Sequence, residues 1–292
     1  MIHKHKEDFL RVIDQVAMQT GFLLPLVEKD YYLTLILSRL HELSPDLVFK
    51  GGTCLNKIYF SYYRLSEDLD FSMRLPAYTT TRGTRRKCIQ KVKDNIQEFA
   101  RQLDMKIDGA ANAGRNESKQ YVYYFFYQSL ILPVEAKIKL EISLRFNPIL
   151  PTTKNEVRHK FLHPFTGELL FKGGEVNCLA LNELVAEKLR AAATRPTIAP
   201  RDFYDIDFIL RNGFNLADQE VLELFQKKLA EDGADTDLAK YRVDLGRSKE
   251  EIADMKSRIK EELFEVLTAN EKQNFSLDVA LTRINNILKG LR

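Results

Sequence analysis

Two aspartates one residue apart, Asp68 and Asp70, are the first candidates for chemistry in this chain. They lie in a short run, 68–73, that predicts a β-strand, and strand side chains two residues apart point to the same face. Leu69 and Phe71 then point to the opposite face, which we expect to be the core. Two adjacent carboxylates repel each other unless a cation lies between them, and carboxylate oxygens are ligands that Mg²⁺ prefers. The pair therefore predicts a magnesium site.

A second run with strict alternation, 136–145, supplies a candidate third ligand. Its apolar residues, such as Leu140, face one way, whereas Lys139 and Glu141 face the other. If this strand neighbours the first, Glu141 can join the aspartates, and such carboxylate clusters around Mg²⁺ suit phosphoryl or nucleotidyl transfer. Taken singly, the Asp-x-Asp pair and the Lys/Glu alternation are equally typical of a solvated strand face.

A glycine turn precedes the acidic strand. Gly51 and Gly52 separate a predicted strand at 47–49 from a short helix that opens at Thr53. A strand, a glycine turn and a helix start can offer free backbone N–H groups to an anion. The turn is not a Walker A loop, because the Gly-Lys-Ser/Thr ending is absent.

Two charged residues of the C-terminal part lie on apolar helix faces. Lys188 falls near the middle of the apolar face of a predicted helix at 181–194, and a desolvated ammonium needs an opposite charge. It either pairs with Glu187 or Asp202 within the fold or reaches the triphosphate of a nucleotide. Asp202, on the apolar side of the next helix, either orients Lys188 or a substrate hydroxyl or caps its own helix.

The densest basic run follows the acidic strand and comprises Arg82, Arg85, Arg86 and Lys87. It could hold RNA phosphates, with binding that weakens steeply as salt rises. The alternative is a solvated loop and helix face. Because the net charge is only +3, any nucleic-acid partner must be met by a local patch of this kind.

The bulk properties fit an intracellular α+β protein. Of the 292 residues, 45% are hydrophobic and 29% charged, without an apolar run long enough for a membrane span or a secretory signal. Three scattered cysteines suit a reducing cytoplasm. Strands and helices mix over residues 1–180, apart from a polar loop at 106–119, and helices dominate residues 181–292. We therefore predict an α+β domain followed by a helical domain.

Several motifs in order resemble the AbiEii/AbiGii toxin family of nucleotidyltransferases, which is of the type IV toxin–antitoxin, MenT-like kind. The resemblance runs from residue 9 to about residue 210, and the last ~80 residues add only helical character. The motifs are Val27-Glu28-Lys29-Asp30-Tyr31-Tyr32, Phe49-Lys50-Gly51-Gly52-Thr53-Cys54-Leu55, Ser66-Glu67-Asp68-Leu69-Asp70-Phe71, Ala186-Glu187-Lys188-Leu189-Arg190-Ala191 and Arg201-Asp202-Phe203-Tyr204-Asp205.

The resemblance implies a DNA-polymerase-β-like nucleotidyltransferase core with a mixed sheet, followed by helices that contribute Lys188 and Asp202. It implies a toxin that uses Mg²⁺ and an NTP and has a cognate antitoxin. The better-studied relatives transfer the nucleotide to tRNA 3′ ends. The motifs themselves do not imply the acceptor, and a tRNA 3′ end is the acceptor that we expect here. The second motif of the family, usually Lys-x-Asp, is here Lys139-Leu140-Glu141. The metal ligands expected from the resemblance are Asp68, Asp70 and Glu141. The expected catalytic residues are these three together with Lys188 and Asp202. The residues expected to bind the nucleotide are Gly51, Gly52, Thr53, Lys57, Lys139, Lys188 and Arg201.

Two alternatives remain open at the level of sequence. The same site could transfer the nucleotide to a small-molecule or protein hydroxyl. The second alternative is a non-catalytic module that binds an NTP or a partner protein. The presence of both Asp68 and Asp70 argues against this alternative.

Overall fold

The computed structural model describes residues 1–108 and 114–289. The chain divides into two compact units, Met1–Leu179 and Ala180–Arg292. The first unit mixes strands and helices, whereas the described part of the second contains helices and 3₁₀ turns. The predicted α+β class, with a mixed sheet followed by helices, is confirmed.

The first unit is built on one mixed sheet with the strand order β3-β4-β5-β2-β1-β7-β6. The pairs β2–β5 and β1–β7 are parallel, and the other neighbours are antiparallel. Its strands are β1 (Leu47–Lys50), β2 (Asp68–Met73), β3 (Lys106–Ile107), β4 (Gln120–Gln128), β5 (Glu135–Ser143), β6 (Thr153–Glu156) and β7 (Glu175–Cys178).

The alternation of residue types gives the sheet a core face. Leu69 and Phe71 of β2 are fully buried, and Leu140 of β5 lies on the same face because its Cα pairs with that of Leu69. Two helices cover this face through aromatic contacts. Tyr32 stacks on Tyr127 of β4 with ring centroids 4.0 Å apart, and Phe99 meets Phe125 edge-on at 6.1 Å. The opposite face carries the residues that alternate with these along the strands, among them Asp68, Asp70 and Glu141.

The helices of the first unit follow the apolar stripes of the sequence. The N-terminal helix, for example, buries Phe9, Val12 and Val16 and ends at Gly21, whose φ of +74° is the left-handed conformation that favours glycine. The helices are α1 (Lys6–Thr20), α2 (Leu24–Ser38), α3 (Leu40–Leu43), α4 (Gly51–Cys54), α5 (Arg82–Cys88) and α6 (Gln90–Gln102), with a π-helical turn at Leu55–Tyr59.

Four short elements do not follow from the sequence patterns. Lys106–Ile107 is an edge strand rather than the start of the predicted loop at 106–119, of which residues 109–113 lie outside the described residues. The polar strand Thr153–Glu156 and its partner Glu175–Cys178 are too short to display an alternation. Helix α5 begins at Arg82, because Thr81 and Thr84 form a reciprocal capping box at its N-terminus.

Described by itself, the second unit is a set of helices that pack through buried apolar and ionic contacts. Lys228, for example, is buried against Glu183 at 2.8 Å. No helix within residues 1–108 and 114–289 is long and apolar enough to cross a membrane. Its helices are α7 (Leu181–Thr194), α8 (Pro200–Arg211), α9 (Gln219–Glu231), α10 (Lys249–Glu262), α11 (Ala269–Asn274) and α12 (Leu277–Lys289).

Candidate nucleotidyl-transfer site

The sheet register brings the predicted acidic residues onto one face. In the parallel pair β2–β5, Asp68 lies opposite Lys139 and Asp70 opposite Glu141. On the other side, Asp70 lies opposite Lys50 of β1. Registered residues point to the same face of a sheet. The face away from the core therefore carries three carboxylates and two ammonium groups in adjoining positions.

The negative charge of Asp70 is only partly compensated by the lysines of this cluster. Burial and the negative charges of Glu141 and Asp68 raise the pKa of Asp70, whereas Lys50 and Lys139 lower it, and the net pKa is about 6. The lysines of the protein therefore do not fully compensate the buried carboxylate. A bound cation would do so, and paired aspartate oxygens suit Mg²⁺ that also coordinates substrate phosphates.

Glu141 is held by neighbours of its own. Its Oε2 lies 2.7 Å from Lys139 Nζ, and its Oε1 accepts a 2.6 Å hydrogen bond from Gln120 Nε2. Burial disfavours the charged form of Glu141, but the Lys139 contact outweighs it and lowers the pKa below its usual range. Within the described ranges, no three histidine, cysteine, aspartate or glutamate side chains are arranged to hold a metal ion. The assignment of Asp68, Asp70 and Glu141 as metal ligands therefore stays a prediction.

The glycine turn lies against the aspartates of β2. Gly51 has a φ of +77°, and a Cβ atom on it would meet the Asp70 carboxylate. The Thr53 hydroxyl donates a 2.5 Å hydrogen bond to the Asp68 carbonyl oxygen. The turn and the acidic strand are therefore joined by direct contacts, with Thr53 buried between them.

Arg64 is a residue of this site that the sequence reasoning missed. Its side chain is buried, and a Cβ atom on Gly52 would lie 2.5 Å from its Nη2 and 3.2 Å from Ser66 Oγ. Arg64 Nη1 donates to the Leu65 carbonyl oxygen at 2.7 Å. It lies in an irregular segment, where no periodicity marks a buried cation. The basic charge beside the glycine turn is therefore visible only in three dimensions.

Lys57, predicted to bind the nucleotide, lies in the interior instead. Its ammonium is fully buried and contacts Asp30 Oδ2 at 2.6 Å, Thr34 Oγ1 at 3.0 Å and the Tyr62 hydroxyl at 3.0 Å. Three partners match the three donors of an ammonium. We therefore leave Lys57 out of the nucleotide site that we propose below.

The basic run divides into exposed and buried members. Arg82, Arg86 and Lys87 are exposed on or beside α5. Arg85 is only 7% exposed and donates at 3.0 Å to the backbone carbonyls of Thr80 and Glu117. Arg85 thus ties the start of its helix to a neighbouring loop, and only the other three present their charge to solvent.

Lys188 and Asp202 meet within the second unit. Lys188 Nζ lies 2.8 Å from both Asp202 Oδ1 and Asp205 Oδ2, and the other oxygen of Asp202 lies 3.1 Å from Arg195. Of the two alternatives for Lys188, the buried ion pair is therefore present, with Asp202 and Asp205 as its partners. Arg201, predicted to bind the nucleotide, is half-buried at the start of α8.

Comparisons with known proteins show the family of the chain and its fold. A family model described as the nucleotidyl transferase AbiEii toxin of type IV toxin–antitoxin systems matches residues 35–283. The fold is similar to that of MenT4, a nucleotidyltransferase toxin from Mycobacterium tuberculosis H37Rv, with a TM-score of 0.57, 19% identity, and 96% of this chain and 98% of that chain covered. JHP933 from Helicobacter pylori gives a TM-score of 0.52 at 18% identity, with 92% of each chain covered. No curated protein matches the sequence.

The mixed sheet and the helices around it give the chain the fold of these nucleotidyltransferase toxins. Because the family model spans most of its length, the chain belongs to the AbiEii nucleotidyltransferase toxin family of type IV toxin–antitoxin systems. The resemblance drawn from the sequence motifs is confirmed. Family membership implies an NTP substrate and an antitoxin partner.

Proposed function

We propose that this chain is a cytoplasmic toxin that transfers a nucleoside monophosphate from an NTP to the 3′-terminal hydroxyl of a tRNA and thereby blocks growth or phage propagation. The observation that carries the proposal is the contact between the acid pair and the Gly51–Thr53 turn. Family membership supports nucleotidyl transfer. The tRNA acceptor rests on the resemblance to the toxin family and on the exposed cations Arg82, Arg86 and Lys87.

Asp68 and Asp70 would hold Mg²⁺. When bound, the ion neutralises phosphate charge and helps to orient the phosphates for in-line displacement. Gly52 and Thr53 bind the phosphates from the turn, and Arg64 adds a fixed positive charge beside them. Lys188 and Asp202 are retained as activity residues on the strength of the family motifs.

The reaction forms a bond between the acceptor oxygen and the α-phosphorus and breaks the bond to the pyrophosphate. The proton of the attacking hydroxyl passes to a nearby carboxylate, for which Glu141 is our candidate. Its bonds to Lys139 and Gln120 fix its position on the sheet face, as a group that must receive a proton at a defined point requires.

The test is a transfer assay with the full chain, Mg²⁺, each labelled NTP in turn, and total RNA. Asp68→Asn and Asp70→Asn are compared with Asp14→Asn, which removes one exposed carboxylate elsewhere in the same unit. Label in tRNA-sized RNA with the wild type and Asp14→Asn, absent in the two site variants, would support the proposal. Label in protein or small molecules would contradict the tRNA acceptor alone. NTP binding by calorimetry without any product would contradict catalysis.

A further inference from the structure

The sheet face that carries the acid pair continues into an aromatic and basic area on the β5–β4–β3 side. Across β4 and β5, Tyr124 lies opposite Lys139, which is itself opposite Asp68. In the next row, Phe126 lies between Lys106 of β3 and Lys137 of β5. We call Lys106, Tyr124, Phe126 and Lys137 the stacking patch.

The exposure of the two rings separates them from the core aromatics of the same strand. Tyr123 and Phe125 are fully buried on the core face. Tyr124 and Phe126 are half-buried on the opposite face, where an antiparallel strand normally carries polar residues. Lys137 Nζ lies 5.0 Å from the centroid of the Tyr124 ring. Rings flanked by exposed lysines are the combination with which proteins bind unpaired nucleotides, by stacking the bases and neutralising the phosphates.

The position of the patch indicates which substrate it meets. The Gly51–Thr53 turn lies on the β1 side of Asp68 and Asp70, and the patch lies on the β5 side. Strands are about 4.8 Å apart, so the backbone of Tyr124, two strands from Asp68, lies about 10 Å away. In an in-line displacement the attacking group enters opposite the leaving pyrophosphate. With the phosphates at the turn, the acceptor must enter from the side of the patch.

We propose that the stacking patch binds the unpaired terminal nucleotides of the RNA acceptor, with a base on Tyr124 and the backbone phosphates near Lys106 and Lys137. This inference rests on the proposed function, because it assumes an RNA acceptor. To the proposed function the inference adds a path by which the 3′ end of the RNA reaches the acid pair. This path runs over the stacking patch and not over the basic run on α5.

Binding without turnover tests the patch. The probes are a deacylated tRNA and the same tRNA trimmed of its unpaired 3′ nucleotides, each titrated with wild type and variants. We expect Tyr124→Ala to weaken binding of the intact tRNA about tenfold, within the range measured for loss of one base–aromatic stack. The trimmed tRNA should bind both proteins equally, and Mg²⁺–NTP affinity should not change. Tyr124→Phe, which keeps the ring, should bind as the wild type does.

Phe165→Ala is the matched control, since Phe165 is 74% exposed on another loop of the same unit. Equal losses with intact and trimmed tRNA, or an unchanged affinity in Tyr124→Ala, would overturn the proposal. If Tyr124→Ala weakened only Mg²⁺–NTP binding, the proposal would also be overturned, because the patch would then bind the base of the NTP. Because no turnover is measured, a tRNA that binds in this manner but is never labelled would refute the proposed function while supporting the patch.

Discussion

The carboxylate of Asp70 packs directly against the backbone of Gly51: a Cβ atom on Gly51 would lie 2.5 Å from Asp70 Oδ2. The first residue of the Gly51–Thr53 turn, for which we propose phosphate binding, therefore has to be glycine for two reasons: its φ of +77° and the closeness of the carboxylate. Turn and acid pair are coupled sterically, so a change in one is expected to move the other.

Gly51→Ala should abolish most transfer activity. The left-handed backbone makes alanine unfavourable by about 1–2 kcal/mol, and the displaced Asp70 carboxylate should lower kcat about a hundredfold, as misplacement by about 1 Å can. Steady-state kinetics and thermal unfolding measure the two effects. Gly167→Ala is the control, because Gly167 has a φ of +71° with no atom within 4 Å of its added Cβ. Equal activity losses in both variants would refute the steric coupling.

Lys57→Met should destabilise the protein through the buried network rather than weaken NTP binding. Removing the ammonium leaves the buried Asp30 carboxylate without its cation, which typically costs about 3–5 kcal/mol. Chemical denaturation measures the loss, and adding Asp30→Asn should recover part of it by removing the orphaned charge. A raised KM for NTP at unchanged unfolding free energy would contradict this assignment and return Lys57 to the nucleotide site.

Asp202→Asn and Asp205→Asn should separate activity from stability. Both carboxylates are buried at 2.8 Å from Lys188 Nζ, so each loss should lower the unfolding free energy by about 1.5–3 kcal/mol. Only Asp202 matches a family residue associated with activity, and we expect only Asp202→Asn to reduce transfer, by about tenfold or more, equivalent to about 1.4 kcal/mol of barrier. Measuring kcat and the free energy of unfolding for both variants tests whether the two effects are separate. Equal activity losses would indicate that Lys188 and its partners serve folding alone.

Arg85→Ala and Arg86→Ala should differ in kind. Arg85 donates to two backbone carbonyls, so its loss should lower thermal stability and leave the salt dependence of tRNA binding unchanged. Arg86 is exposed, and if it contacts a phosphate, its loss should weaken tRNA binding and reduce the slope of log K against log salt by about 0.7–0.9. Binding titrations at several salt concentrations check both. An unchanged slope in both Arg86→Ala and Lys87→Ala would show that the basic run does not contact the RNA phosphates.

The sequence alone was sufficient for the fold class, the family and the shared face of Asp68 and Asp70. The strand period of two is a local property, and alternation in 68–73 and 136–145 therefore predicts which side chains lie together within each strand. Motif order along the chain then identified the family. Local sequence patterns, however, do not show which strands are neighbours. The adjacency of Asp70 and Glu141 therefore depended on the pairing of β2 with β5, which only the sheet order shows.

The tertiary structure decided which charges have partners. The sequence does not show that Lys57, Arg85 and Arg64 are buried. In the fold, Lys57 neutralises a buried aspartate, Arg85 binds backbone carbonyls, and Arg64 lies against the glycine turn. The stacking patch arises in the same manner, since Lys106, Phe126 and Lys137 come from three strands and become neighbours only through registration. The physical reason is that burial and electrostatic pairing depend on contacts between residues distant in sequence, whereas periodicity reports only contacts within one element.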